Sequence, residues 1–277
     1  MTKMTFLSDN KTESGACLAE WGLSVLIETG TKKILFDTGQ SDLFARNAKK
    51  LHVDLTDVDF AVISHGHYDH TNGVPAFARI APQAPIYIHK NAFAKFYGTT
   101  DGEIDDYNCG ILWTDEEKAA LEGHLSLTDG PAWITPDIVI SGTIPDAPEL
   151  RPIEQFYRLR PDGSLTPDDM SHEQFLAIRD PEKGILLFSG CSHKGILAAI
   201  RYAKELFPGE KIACILAGMH LIAASPADRL ATIEAVKAED PELVIPLHCT
   251  GMEAIAQLKG ALGGRCLLAC VGTVCEL

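Results

Sequence analysis

The sequence predicts an α/β fold, and three observations carry this prediction. Short apolar runs recur along the 277 residues, and several do not alternate with polar residues, as expected for strands buried on both faces. Segments with N-capping residues and helical periodicity fit between these runs. Strands gather in the N-terminal third and then alternate with helices, an order typical of α/β proteins.

The predicted strands are MTFLS, LSVLIE, KILFD, DFAVIS, PIYIH, DIVIS, QFLAI, GILLFSG, KIACILAG, ELVIPLH and CLLACV. Three helices are predicted by capping residues and apolar spacing: about 193–207 with Ser192 as N-cap, Ser225 to about Glu239, and a capping box of Thr250 and Glu253 leading to about Leu262.

We predict one domain over residues 1–277, because no linker or repeat interrupts the chain. The region from about Gly98 to Asp169 is richer in Pro, Asp and Gly, and its periodicity is weak. We therefore expect an irregular insertion at about 98–169, and we expect it to carry the substrate specificity.

Composition excludes several kinds of partner. The formal net charge is -14, from 38 acidic and 24 basic residues, and the basic residues are scattered, so we expect no nucleic-acid partner. No stretch resembles a signal peptide or reaches the ~18 apolar residues of a membrane span, so we expect a cytoplasmic protein that does not bind membranes. The eight cysteines include no CxxC pair, which argues against a disulfide framework.

The stretch SHGHYDHTNG at 64–73 places three histidines and one aspartate within six positions, directly after an apolar run. Imidazole and carboxylate groups are ligands of zinc, manganese and iron. In a tight turn, His65 and His67 can bind one ion while Asp69 and His70 bind a second. Gly66 lets the backbone bend closely at this turn. The motif therefore predicts a site for one or two divalent ions, with zinc as the first expectation and manganese or iron as alternatives.

Further candidate ligands follow other predicted strands. Cys191 and His193 come after GILLFSG, His220 comes after KIACILAGM, and His248 ends ELVIPLH. The ends of neighbouring strands meet at one rim of a sheet, where α/β proteins commonly bind ligands. We expect these side chains to complete the metal site.

These motifs resemble a known family. HGHYDH matches the HxHxDH signature of the metallo-β-lactamase superfamily, and LFDTG at 35–39 is similar to its first motif. GCSHKG at 190–195, GMHL at 218–221 and HCTG at 248–251 resemble a narrower branch, the metal-dependent hydrolases related to 7,8-dihydropterin-6-methyl-4-(β-D-ribofuranosyl)aminobenzene 5'-phosphate synthase. The resemblance implies a four-layer αββα sandwich with a dinuclear metal site at its rim.

The resemblance also implies roles for individual residues. His65 and His67 would hold the first metal, and Asp69, His70 and His248 would hold the second. Asp37 would lie behind the ligands and steady the histidine loop.

One position departs from the family pattern. Most members have a bridging aspartate where this chain has Cys191. The third ligand of the first metal is therefore open among Cys191, His193 and His172, and so is the number of ions.

The implied chemistry is attack by a metal-activated hydroxide on a carbonyl or phosphorus centre. The catalytic candidates are Asp69, His193 and His220, and whichever of the two histidines is not a ligand would protonate the leaving group. Ser192 and Lys194 open a predicted helix and form a candidate anion contact, although a capping serine beside a solvated lysine explains them equally.

Three functions follow from this pattern. The first is hydrolysis of a phosphoester, ester or lactone in a small, anionic molecule. The second is a synthase-type transfer that releases pyrophosphate, and the third is metal binding without catalysis. The sequence carries no signal for the oligomeric state.

Overall fold

The computed structural model describes residues 1–147, 152 and 154–277. The strands among these residues are β1 Lys3–Ser8, β2 Ser24–Glu28, β3 Lys33–Phe36, β4 Phe60–Val62, β5 Ile86–His89, β6 Phe96–Tyr97, β7 Thr99–Thr100, β8 Glu103–Ile104, β9 Leu125–Thr128, β10 Ala132–Thr135, β11 Ile138–Ile140, β12 Tyr157–Leu159, β13 Leu165–Pro167, β14 Leu176–Asp180, β15 Gly184–Ser189, β16 Ile212–Ala217, β17 Leu243–Pro246 and β18 Val274–Glu276.

The α-helices are α1 Leu43–Lys50, α2 Tyr68–Thr71, α3 Val74–Ile80, α4 Asp115–Ala120, α5 Ile196–Leu206, α6 Pro226–Ala238 and α7 Met252–Leu262. Short 3₁₀ turns lie at Lys90–Phe93, His248–Thr250 and Gly263–Arg265. No helix in these parts of the chain is both long and apolar enough to cross a bilayer.

The chain forms two compact units, each assembled from separate segments. Unit 1 contains Met1–Thr128, Gln155–His172 and Cys270–Leu277, and unit 2 contains Asp129–Glu154 and Glu173–Ala269. The prediction of one domain over residues 1–277 stays a prediction.

Unit 1 is built on a seven-stranded sheet in the order β18-β1-β2-β3-β4-β5-β9. The pairs from β18 to β3 are antiparallel, and those from β3 to β9 are parallel. Leu26 and Leu35 of the sheet share a buried core with Phe44 of α1 and Phe77 of α3. Because β3 and β4 are parallel, the loops that follow them leave the same edge of the sheet.

Unit 2 is built on a six-stranded sheet in the order β10-β11-β14-β15-β16-β17. The pairs from β10 to β15 are antiparallel, and β15, β16 and β17 are parallel. Leu187 and Ile215 pack with Ala199 and Ala203 of α5. All six residues of β15 and of β16 are buried, as predicted for strands covered on both faces.

Most predicted strands are confirmed, but the prediction of a strand at CLLACV is wrong. CLLACV is not a strand: Cys266 and Val271 make only isolated bridges, to Val244 and Thr12. The segment 98–169 is not irregular throughout, since it supplies β9 to the first sheet and β10 and β11 to the second. β11 is the predicted strand DIVIS, whereas β9 and β10 have only four residues each, too few to show a clear period in the sequence.

Helix starts were predicted with mixed success. Ser225 caps α6 by accepting a hydrogen bond from Asp228 N, as predicted. The other two predicted N-caps, Ser192 and Thr250, are wrong by three residues and by one residue. Gly195 and Gly251 occupy the N-cap positions of α5 and α7. Thr250 instead accepts a hydrogen bond from Met219 N, so its hydroxyl serves a tertiary contact.

Candidate metal centre

The HGHYDH motif lies in unit 1 and spans the loop after β4, with His65 and His67, and the helix α2, with Asp69 and His70. His67 precedes the first turn of α2, and His65, Asp69 and His70 are buried with it. Gly66 allows this loop to pass close to a neighbouring segment, because a Cβ there would lie 2.5 Å from Ala92 O. The loop therefore holds its potential ligands in a compact, buried turn.

Asp37 fixes this loop from the end of β3. Its two carboxylate oxygens accept hydrogen bonds from Ser64 N at 2.7 Å and from the Ser64 hydroxyl at 2.8 Å. His70 Nδ1 lies 2.7 Å from the same carboxylate. Since a carboxylate can only accept, Nδ1 carries the proton and Nε2 of His70 presents a lone pair.

His65 and His67 present their ring nitrogens to each other. His65 Nδ1 contacts the Ser64 hydroxyl at 2.9 Å, and because that hydroxyl donates to Asp37, His65 keeps its lone pair on Nε2. His65 Nε2 lies 3.1 Å from His67 Nδ1. Two nitrogens bound to one tetrahedral zinc at ~2.0–2.1 Å would be ~3.3 Å apart, so this spacing fits a shared ion.

The charge state of His67 also fits a ligand. Burial, followed by the nearby His172, lowers the pKa of His67 to about 3. The ring is therefore neutral at physiological pH, and the neutral imidazole is the form that binds metals.

His172 has a different role from the one left open above. Its Nδ1 accepts a hydrogen bond from Gly66 N at 3.0 Å, and its Nε2 donates to Asp168 at 2.8 Å. Both ring nitrogens are therefore engaged, which removes His172 from the candidate ligands. Burial raises the pKa of Asp168, but the contacts with His172 and Arg158 outweigh this and lower it. Asp168 is thus a charged anchor for the histidine that holds the motif loop.

Residues of the predicted insertion contact the same loop within unit 1. The Trp113 indole donates to Thr71 O at 2.8 Å. The Phe156 ring lies 4.7 Å from the His67 ring, centroid to centroid. Phe156 and Trp113 of the insertion thus form part of the surroundings of the motif, and the role of the insertion in specificity stays a prediction.

Unit 2 brings together a second set of candidates at the ends of its three parallel strands. Cys191 follows β15, His220 follows β16 and His248 follows β17, and all three are buried. One ligand atom from each of Cys191, His193 and His220 lies within 4.8 Å of the others. The predicted convergence of strand ends therefore occurs for these residues.

Cys191 belongs to a second group in the same unit, with His248 and Cys249, whose ligand atoms also lie within 4.8 Å of one another. Sequence reasoning missed Cys249, although it directly follows a predicted ligand at a strand end. Imidazole nitrogens and cysteine sulfurs suit zinc and related divalent cations, so the donor set of unit 2 also fits a metal.

His220 is held by a carboxylate. Its Nε2 is hydrogen-bonded to Glu154. Burial lowers the pKa of His220, but the negative charges of Cys249 and Glu154 outweigh burial and raise it to about 10. Burial likewise opposes ionisation of Cys249, yet hydrogen bonding to Cys191 and the charges of His220 and His248 lower the thiol pKa well below its usual value. Each of the two groups therefore stabilises the charged form of the other.

In the structure, the groups of the predicted anion contact at Ser192 and Lys194 have internal partners, and the contact itself stays a prediction. His193 N and Lys194 N donate to the two carboxylate oxygens of Glu173 at 2.6 and 2.8 Å. Lys194 Nζ pairs with Asp146 at 3.0 Å. The Ser192 hydroxyl donates to Gly218 O at 2.7 Å. The amides thus bind an internal carboxylate, and this contact fixes the backbone beside His193.

Strained backbone coincides with the candidate residues. Asp37, Ser192, His220 and His248 have φ values of 56°, 55°, 48° and 50°, in the left-handed region that non-glycine residues seldom adopt. Such strain costs about 1–3 kcal/mol per residue and concentrates at functional sites. Each of these residues lies just beyond the end of a parallel strand, where the chain turns sharply.

The family of the chain follows from comparison with known proteins. Residues 22–187 match the family model described as the metallo-beta-lactamase superfamily. This chain therefore belongs to the metallo-β-lactamase superfamily and has its fold, as the HxHxDH resemblance predicted.

Two related proteins and one solved structure are similar to most of this chain. The uncharacterized protein MJ0448 of Methanocaldococcus jannaschii is 33% identical, over 87% of this chain and 88% of its own length. The 7,8-dihydropterin-6-methyl-4-(beta-D-ribofuranosyl)-aminobenzene-5'-phosphate synthase of the same organism is 31% identical, over 85% and 83%. The crystal structure of Tm1679, described as a metal-dependent hydrolase of the beta-lactamase superfamily, matches with a TM-score of 0.83 at 27% identity, over 100% and 99%.

Proposed function

We propose that this chain is a metal-dependent hydrolase that cleaves a phosphoester, ester or lactone bond in a small, anionic molecule. It uses one or two divalent ions, with zinc before manganese or iron. The metal ligands are His65, His67, Asp69, His70, Cys191, His193 and His248. We place the enzyme in the cytoplasm, without a nucleic-acid or membrane partner.

One observation carries this proposal: the ring nitrogens of the motif loop are oriented in advance. Asp37 and Ser64 fix the protons of His70 and His65 on Nδ1, which places the lone pair of each ring on Nε2. Groups that orient ligands in this way are typical of functional metal sites.

When bound, the divalent ions supply a water activated near neutral pH and positive charge that stabilises the developing oxyanion. The residues of the chain prepare this chemistry. His172 keeps the loop in place through Gly66 N, and Asp69 adds a carboxylate whose oxygen lies 3.7 Å from His70 Nε2. His220, held by Glu154 at Nε2, is the residue to which we assign delivery of a proton to the leaving group.

A synthase-type transfer is the second candidate, supported by the 31% identity to the dihydropterin synthase. In that case, the chain would join two substrates and release pyrophosphate. Both candidates require metal, so metal dependence alone does not separate them.

A substrate screen after controlled metal loading tests the proposal. The metal-free protein is reloaded with zinc, manganese or iron and offered an aryl phosphate, a phosphodiester, an aryl ester and a lactone. We expect turnover of at least one class, its loss with a chelator and its return with the metal. Pyrophosphate release only when a pterin pyrophosphate and an arylamine are both present would favour the synthase. No metal-dependent turnover in either assay would contradict both candidates.

A further inference from the structure

Two thiols lie close together at strand ends in unit 2. Cys191 follows β15 and Cys249 follows β17, and both are buried. The two sulfurs and one ring nitrogen of His248 lie within 4.8 Å of one another. Cys249 Sγ also lies 3.7 Å from Cys191 O, to which it can donate. This arrangement places two sulfur donors and one nitrogen donor around one position.

The backbone makes room for the second sulfur. Gly218 N donates to Gly190 O at 2.8 Å, so the chain after β16 runs tightly against the chain after β15. A Cβ at Gly218 would lie 2.8 Å from Cys249 Sγ and 2.3 Å from Gly190 O. Only glycine fits here, because a side chain at position 218 would overlap the space that the Cys249 sulfur occupies.

The turn that carries Cys249 is firmly anchored. Thr250 accepts a hydrogen bond from Met219 N at 3.0 Å, and its hydroxyl donates to Ala217 O at 3.3 Å. His248 begins this 3₁₀ turn with φ 50°. Consecutive residues of the turn, His248 and Cys249, thereby both contribute donor atoms to the same group.

We propose that Cys249 is a metal ligand, and that Cys191, His248 and Cys249 form a thiolate-rich position for a thiophilic divalent cation such as zinc or cadmium. The predicted ligand set does not include Cys249, although the HCTG motif contains it. Cys191 also belongs to the group with His193 and His220, so its sulfur is placed to serve two ion positions. The inference rests on the metal binding of the proposed function. If Cys249 is instead only a structural thiol, its sulfur keeps its contact with Cys191 O.

Cadmium-113 NMR of the full-length protein distinguishes these roles, because the cadmium resonance moves downfield with each thiolate ligand. We expect the wild-type protein to show a resonance in the range of two-thiolate sites. Cys249→Ser and Cys191→Ser should each lose this resonance and show one shifted upfield to the one-thiolate range. Cys214→Ser is the matched control: Cys214 is a buried cysteine of β16 outside these donor groups, and its replacement should leave the spectrum unchanged.

The outcomes separate the inference from the proposed function. Bound cadmium without a two-thiolate resonance in the wild-type protein would overturn the role of Cys249 while leaving metal binding intact. A Cys249→Ser spectrum identical to that of the wild type would do the same. A wild-type protein that binds no cadmium, zinc or other divalent ion would overturn both. Should Cys249→Ser fail to fold, the wild-type spectrum alone decides.

Discussion

Replacing His67 with alanine is expected to reduce metal-dependent turnover by about a thousandfold or more. The His67→Ala change removes a ring nitrogen 3.1 Å from His65 Nε2 and leaves His65 with one partner fewer for the shared ion. Without a firmly held ion, the pKa of the attacking water rises far above neutral pH, and the nucleophile is lost at neutral pH. The measurement is kcat/KM on the substrate that the screen identifies, with saturating metal.

A surface histidine provides the control for this experiment. His52 is exposed and has φ 56°, a conformation that asparagine tolerates well, so His52→Asn should retain wild-type turnover. Circular dichroism of His67→Ala verifies the fold. If the folded variant kept most of its metal-dependent rate, His67 would have no place in the ligand set.

Replacing Asp37 with asparagine is expected to weaken metal binding by about 10–100-fold, the range found for groups that orient metal ligands. Asparagine tolerates the left-handed backbone of this position, so the change acts through the side chain. In Asp37, both carboxylate oxygens accept hydrogen bonds from Ser64 or His70. In asparagine, an NH₂ group replaces one of these oxygens. This NH₂ cannot accept a hydrogen bond, so two donors face each other there. The affinity is measured by competition with a chromophoric chelator.

The same Asp37→Asn change should also destabilise the metal-free protein. A buried donor left without an acceptor costs about 1–3 kcal/mol, which urea unfolding can detect. Asp57→Asn is the control, since Asp57 is an exposed carboxylate that pairs with Lys33 at the surface. Wild-type metal affinity in Asp37→Asn would show that the carboxylate does not orient His70.

The parts of the fold that follow from local sequence were predicted well. GILLFSG and KIACILAG become β15 and β16 because continuous apolar runs need burial on both faces, and Ser225 caps α6 through a contact three residues away. The short strands β9 and β10 escaped prediction, because they have only four residues each and gain their stability from pairing within larger sheets.

In the candidate site, too, groups that are close in the sequence were predicted, whereas contacts between residues far apart in the sequence were not. The clustering of His65 and His70 was visible in the sequence, since they are only five positions apart in the HGHYDH motif. The partner of Gly66 N is His172, 106 residues away, and no local pattern distinguishes such a hydrogen-bonding histidine from a ligand. Glu173 likewise accepts hydrogen bonds from the backbone amides of His193 and Lys194, where the sequence suggested a contact with an external anion.

Metal content measured by elemental analysis tests the central claim most directly. The wild-type protein and a His65→Ala/His67→Ala variant are stripped with a chelator, reloaded in turn with zinc, manganese or iron, and freed of excess ion. The account predicts one to two tightly bound ions per wild-type chain for at least one of these metals, and a clear loss of bound ion in the folded double variant. A wild-type chain that retains none of the three, or a variant that retains as much as the wild type, would contradict it.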